Sequence, residues 1–181
     1  MFKKFTPADC SKSTPVKSSQ QRFIKSKISE QHPAIAPYVD DLFPKKPPLM
    51  QFKAGQHLTL YCRGLTPLFF EHRDGPVLPA LRLVHEYPGM WTTYTVDRGA
   101  IPFILGGADI MCPGLTNPGG AMPADLEEGA GVVINAEGKE HAIAVGVMKM
   151  STEDIREKNK GHGVEVCHFI GDGLFASKEI E

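Results

Sequence analysis

The chain has 181 residues, of which 41% are hydrophobic and 23% charged, and its formal net charge is -1. That composition excludes a disordered polyelectrolyte and leaves room for a real core, in one large or, as expected here, two small domains. No apolar run is long enough for a membrane helix and Met1-Phe-Lys-Lys-Phe5 lacks a signal-peptide core, so a cytoplasmic protein with no membrane partner is expected.

The charge is unevenly spread. Residues 1 to 60 carry ten Lys or Arg against four Asp or Glu, residues 61 to 119 four against five, and residues 120 to 181 six against twelve. A basic first third suits a phosphate-bearing partner, because neutralised phosphates release counterions, while an acidic last third does not. Cys10, Cys62, Cys112 and Cys167 fall in no Cys-x-x-Cys pair, which argues for reduced thiols and against a disulfide framework or zinc site.

In chain order, Thr14-Pro15 predicts a helix start, with Val16, Phe23, Ile24 and Ile28 on one stripe. Lys17, Arg22, Lys25 and Lys27 then form a basic face, the expected electrostatic contact of this half. A second short helix is predicted from Pro33, packing Ile35, Val39, Leu42 and Phe43 and ended by Pro44. After the stiff connector Lys45-Lys46-Pro47-Pro48 the pattern alternates. Leu49 to Lys53, Gln56 to Cys62 and Pro67 to Glu71 read as strands, the last two joined as a hairpin through Arg63-Gly64. Asp74-Gly75-Pro76 is a turn, and Pro79 opens a helix bearing Leu81, Leu83 and Val84. Pro88 to Thr93 has no period and reads as the junction between domains spanning 1-91 and 92-181, with Trp91 packed in it. Exposed apolar surface for a protein partner is expected in the first domain, with Leu49, Phe52 and Tyr61 as candidates.

Tyr94 to Leu115 is the densest block of backbone-specifying residues. A strand ends at Val96, Asp97 can cap a helix, Ala100 to Leu105 supplies an apolar face, and Gly106-Gly107 and Pro113-Gly114 make a tightly turned surface against which a ligand can lie flat. A helix begun at Asp97 would put Pro102 in its interior; a start near Gly99 puts it in the first turn, where a missing donor is harmless, and that start is predicted. Asn117 to Ala130 is a polar loop. Val132 to Ala136 and His141 to Met150 form a hairpin about Glu137-Gly138-Lys139, Ser151 and Asp154 cap a single charged turn, and Val164 to Ile170 is a last strand before Gly171-Asp172-Gly173. Short strands with glycine at the corners are the grammar of a small, partly closed β-barrel, so the whole is α+β.

No catalytic constellation is apparent. The seven histidines sit in no His-Glu-x-x-His, and neither Gly-x-Ser-x-Gly nor a Gly-Lys-Ser/Thr phosphate loop occurs. Cys167 and His168 are adjacent and would face opposite sides of a strand, which is wrong for a nucleophile and its base. No enzyme activity, metal or cofactor is expected.

The second half nevertheless carries a resemblance. Val96-Asp97-x-Gly99-Ala100, Gly107-Ala-Asp-Ile-Met-x-Pro-Gly114, Ala144-Val-Gly146 and Lys160-Gly-His-Gly-Val-Glu165 make residues 94 to 175 similar to a PUA domain, the pseudobarrel of RNA-binding proteins such as pseudouridine synthases. Met1-Phe-Lys-Lys-Phe5, Pro44-Lys-Lys46, Leu68-Phe-Phe70, Leu81-Arg-Leu-Val-His85, Asp109-Ile-Met-Cys-Pro-Gly-Leu115 and Gly146-Val-Met-Lys-Met150 extend it: the whole chain resembles the malignant T-cell-amplified sequence family of translation-machinery-associated proteins.

The resemblance implies an N-terminal α/β domain that binds the small (40S) ribosomal subunit and its rRNA, followed by a PUA-type β pseudobarrel turned toward tRNA. It further implies an obligate partner, a density-regulated protein homologue, and a joint role in ejecting deacylated tRNA and supporting reinitiation. Carried residue by residue, the RNA edge would be Arg98, Gly106, Gly107, Ala108, Asp109 and Gly114, backed by Cys112 and Pro113, with the later helix start weakening the claim of Arg98. Lys3, Lys4 and the basic helix, with Lys17 and Lys25, would hold rRNA phosphates. The alternative is an accessory protein of RNA modification or ribosome biogenesis, which would call for a catalytic loop in the first 90 residues; Asp40-Asp41 lack that context.

Overall fold

The computed structural model describes residues 1-181. Its first sheet is formed by β1 (Thr14–Pro15), β2 (Leu49–Ala54), β3 (Leu58–Arg63), β4 (Thr66–His72) and β5 (Leu78–Pro79), antiparallel and in chain order. Thr14-Pro15 is therefore an edge strand and not a helix start. The two residues pair with Gln51 and Met50, and Pro15, which has no N–H to give, is tolerated at an edge. The helix α1 begins at Ser18 and runs Ser18–Gln31. Ile24 and Ile28 face the core as expected, but Phe23 is 68% exposed. Each helical residue turns the side chain by about 100°, so Phe23 cannot share a stripe with Ile24 and Ile28.

A 3-10 segment, Pro33–Tyr38, leads into α2 (Val39–Leu42), and the chain leaves helical conformation at Phe43, before Pro44. After β5 comes α3 (Leu81–Glu86). Both faces of this first sheet are covered. Phe69 meets His32, Phe43 and Trp91 on the helical side, while its neighbour Phe70 meets Phe2 and the His168 ring on the other. That double cover overturns the proposed docking surface: Leu49, Phe52 and Tyr61 are 1%, 4% and 8% exposed and belong to the core. Tyr61 points under α1, where its hydroxyl donates to Glu71.

The second sheet comprises β6 (Thr93–Val96), β7 (Ile110–Met111), β8 (Gly131–Ala136), β9 (Ala144–Met148) and β10 (His162–Phe169), in the order β6-β8-β9-β10-β7. β6 and β8 are parallel; the other pairs are antiparallel. Register shifts at His162/Val164 and Val166/His168 bend β10, so one strand serves β9 and β7 and the sheet curls into a half-barrel. Its short helices are α4 (Ile101–Leu105), α5 (Cys112–Thr116), α6 (Thr152–Lys158) and α7 (Gly173–Ala176). The fold is α+β, as expected. The core of the first sheet runs on into Val133, Ala142, Val145, Cys167, Leu174 and Ile180 of the second half, while Tyr94, Ile134 and Val164 belong to a separate barrel interior.

The N-terminal segment is pinned across the seam between the sheets. Phe2 is fully buried, edge-on to Phe5, Phe70 and His168, and its carbonyl accepts from the Gly173 amide at 2.9 Å. A side chain at position 173 would run into the Phe5 carbonyl, so this approach requires glycine. Beneath it, Asp172 accepts from His168 Nδ1 (2.8 Å) and from the amides of Phe169 and Phe175 (2.9 Å each), while His168 Nε2 accepts from the Leu81 amide (3.0 Å). The imidazole thus carries its proton on Nδ1 and joins α3 of the first half to the turn after β10.

Candidate nucleic-acid interface

The stretch from Asp97 to Asn117 builds an open cleft on the barrel's outer edge. Asp97 Oδ1 accepts from the Ala100 amide at 3.1 Å and caps a single 3-10 turn, Arg98–Ala100; α4 follows, with Pro102 in its first turn. The predicted late start is what the structure has, and Pro102 costs no hydrogen bond. At the other end, the Gly106 amide closes onto Pro102 and Phe103, and Gly107 takes φ +88°. The backbone therefore favours glycine there, and a Cβ at Gly107 would also sit tightly, 3.3 Å from the Phe169 ring.

The cleft, of about 250 Å³, lies between α4, β7 and α5 and is lined by Phe103, Ile104, Asp109, Met111, Gly114 and Asn117 among others. Its rim is apolar and open: Phe103 is 68% and Met111 45% exposed. The two carboxylates in it are already committed. Asp97 accepts from Ala100 and Asn117, and Asp109 accepts from the Val166 amide at 3.0 Å with its other oxygen 3.6 Å from His162. The two carboxylates keep their charge and no Lys or Arg lines the cleft, so what it offers is exposed ring and thioether surface and backbone, a combination that suits stacking of a base and contact by shape more than phosphate binding.

Of the residues expected at the edge, Asp109 and Gly114 line this cleft, and Gly106, Gly107 and Ala108 form the turn at the end of α4 beside it. Arg98 stands away from it: its guanidinium lies over Gly138, and its amide donates to Glu137. Cys112 is buried behind the edge. Lys3 reaches this region, but its ammonium donates to the Gly106 carbonyl at 2.9 Å and so holds the end of α4. Lys25 is similarly occupied, by Asp40 at 2.9 Å and the Phe43 carbonyl at 3.1 Å. Lys4 and Lys17 are exposed and make no side-chain bond within the chain. The residues missed from sequence were Phe103 and Met111. The signal for Phe103 was arithmetic: α4 is five residues long, four of them nonpolar besides Pro102, and so short a helix buries only Ile104; Met111 is the outward residue of the two-residue strand β7, whose other residue, Ile110, is buried.

The chemistry open to the remaining groups is limited. Burial pushes the thiols of Cys62 and Cys112 above the ordinary range and that of Cys167 up to about 12, with Glu165 adding to the last, so none is a thiolate near neutral pH. The His168–Asp172 pair has the look of a catalytic dyad, but both ring nitrogens are bonded and the pair is 1% and 0% exposed. It is a structural rivet. No three His, Cys, Asp or Glu side chains gather as a metal-ligand set.

A doubly covered sheet joined to a glycine-cornered half-barrel defines a PUA-domain protein, and the chain matches the Pre-PUA-like domain over residues 4–88 and the elF2D, PUA domain over residues 92–173. It is 49% identical over 177 residues to translation machinery-associated protein 20 of Eremothecium gossypii, covering 97% of each chain, and 47% identical over 184 residues to the malignant T-cell-amplified sequence 1 homolog of Drosophila melanogaster, covering all of both. The chain belongs to this malignant T-cell-amplified sequence and translation machinery-associated protein 20 family. The crystal structure of a hypothetical protein from Pyrococcus horikoshii shares the fold, with a TM-score of 0.74 at 22% identity over 92% of this chain and 99% of that one.

Proposed function

We propose that this protein is a non-catalytic, cytoplasmic translation factor that binds the 40S ribosomal subunit together with a density-regulated protein homologue. In that role it promotes release of deacylated tRNA and reinitiation. The observation that carries the reading is the end-to-end relationship to proteins named translation machinery-associated protein 20. The cleft beside Gly106-Gly107 supports it, because an apolar rim over a backbone edge can take single-stranded RNA by stacking and contour and let it go without breaking a bond.

Sucrose-gradient sedimentation of a cell extract, with and without RNase, followed by mass spectrometry of the captured protein, tests the reading. Co-sedimentation with 40S particles that is lost on RNase treatment, with a density-regulated homologue in the eluate, is the expected result. A protein that stays at the top of the gradient at low salt, with neither 40S proteins nor that homologue captured, would refute it.

A further inference from the structure

The turn between β2 and β3 combines strain with unused charge. Of the four non-glycine residues with positive φ in the chain, three adjoin here: Gln56 (φ 63°) and His57 (φ 62°) in the turn, and Arg73 (φ 55°) just after β4. The Arg73 amide donates to the His57 carbonyl at 2.9 Å, so the two segments are tied together. Glycine is the residue such backbone prefers, and strained non-glycine positions collect where the side chain has a task.

Lys53, His57, Thr59 and Arg73 line one open depression of about 550 Å³, with Asp74 as its single carboxylate. The side chains of Lys53, His57 and Arg73 make no hydrogen bond or salt bridge within the chain, whereas Lys27, Arg82 and Arg156 are each occupied by a protein acceptor. Around the turn, Lys4 lines an adjoining depression with Gly55 and Gln56, and that depression shares Ala54 and Leu58 with the first. Asp9 lies there too, but its carboxylate accepts from the Thr6 amide at 2.7 Å. Four free donor side chains thus ring one sheet corner.

We propose that this corner is a phosphodiester-binding site for RNA, separate from the barrel cleft, in which Lys53 and Arg73 neutralise backbone phosphates, His57 donates a ring N–H, and Lys4 extends the track around the turn. The assignment of RNA as the source of the phosphate rests on the translation-factor reading; the site itself rests on the strained turn and its unpaired donors. Spaced cations of this kind supply salt-dependent affinity without reading sequence.

The strain makes the test sharp. In full-length protein, Arg73→Gly removes the guanidinium and relaxes the left-handed backbone together, so its melting temperature is expected to hold or rise while binding of a fluorescent RNA hairpin weakens. The pair Lys53→Ala with Arg73→Gly is expected to weaken binding further and to lower the slope of log affinity against log salt by about two. RNA titration of labelled protein should shift the amides of residues 54–59 and 73. The proposal is overturned if affinity and slope match the parent, if Arg73→Gly lowers the melting temperature and leaves binding intact, or if inorganic phosphate moves the same amides as readily as the hairpin. Loss of hairpin binding in Phe103→Ala, with the corner variants unaffected, would remove this site and leave the translation-factor reading standing. No hairpin binding by the parent protein would remove both.

Discussion

Replacing Asp172 with alanine should separate the two halves of the molecule more than any surface change. The carboxylate accepts three hydrogen bonds, from His168 Nδ1 at 2.8 Å and from the Phe169 and Phe175 amides at 2.9 Å each, and it is 1% exposed. Bonds to a charged acceptor contribute about 1.5–3 kcal/mol each, but three sharing one carboxylate are not additive. The imidazole is neutral, so no charge is stranded when the carboxylate goes; the loss is that of three buried donors left unsatisfied, about 4 kcal/mol once the non-additivity is allowed for. For a chain of this size that is about 8–16 °C in Tm, read by calorimetry or circular dichroism. Asp172→Asn, which keeps one accepting oxygen, should fall between the two. Limited proteolysis should cut Met1–Phe5 first in Asp172→Ala, because Phe2 lies against His168 and its carbonyl is held by Gly173. An alanine variant that melts with the parent and keeps its N-terminal segment protected would show that the rivet carries no stability.

Gly107→Ala places a Cβ at φ +88° and 3.3 Å from Phe169, and should cost about 1–3 kcal/mol in chemical denaturation; an unchanged midpoint would contradict the close approach. Phe103→Ala should leave stability within about 0.5 kcal/mol, since the ring is 68% exposed, yet weaken single-stranded RNA binding by about 1–3 kcal/mol if one base stacks on it. Burial holds the pKa of His32 below its ordinary value, against the opposing pull of the Val77 carbonyl to which Nε2 donates at 2.6 Å. The unfolded chain therefore takes up the proton first as pH falls below about 6.5, so this contribution to stability is present above that pH and is lost toward the lower folded-state pKa. His32→Gln should flatten the acid limb of a stability–pH curve, and an unaltered slope would exclude His32 as its source.

Local chemistry made much of this fold legible. Proline after Phe43 ends the helical segment where expected, Gly64 lies in the β3–β4 turn, and β8 and β9 do pair as a hairpin, although β9 begins at Ala144 instead of His141 and the connection is longer than the tight turn expected at Glu137-Gly138-Lys139. Asp97 and Pro102 together specify a short turn before a delayed helix, and both features are present. What failed was anything that depends on the far partner. Thr14-Pro15 has the local signature of a helix start, but pairing with Met50 and Gln51 decides its conformation. Leu49, Phe52 and Tyr61 sit in strands whose alternation suggests one wet face, and only the packing of α1 on one side and of Phe2 and β10 on the other makes the sheet dry on both. Within the candidate site, glycine spacing exposed the edge, while the open ring of Phe103 depends on how little a five-residue helix can cover.

The seam also has a consequence for synthesis. A ribosome delivers Phe2 long before Gly173, whose amide secures it, and Leu65 before Ile180, whose amide donates to the Leu65 carbonyl at 2.8 Å. Both latches stay undone until those later residues emerge, so a product cut short of residue 173 would still set Phe2 against Phe5 and Phe70 but would leave its carbonyl without the Gly173 amide and the Leu65 carbonyl without that of Ile180. The N-terminal segment is therefore fastened late although it is made first: Phe2 waits on residue 173 as Leu65 waits on residue 180.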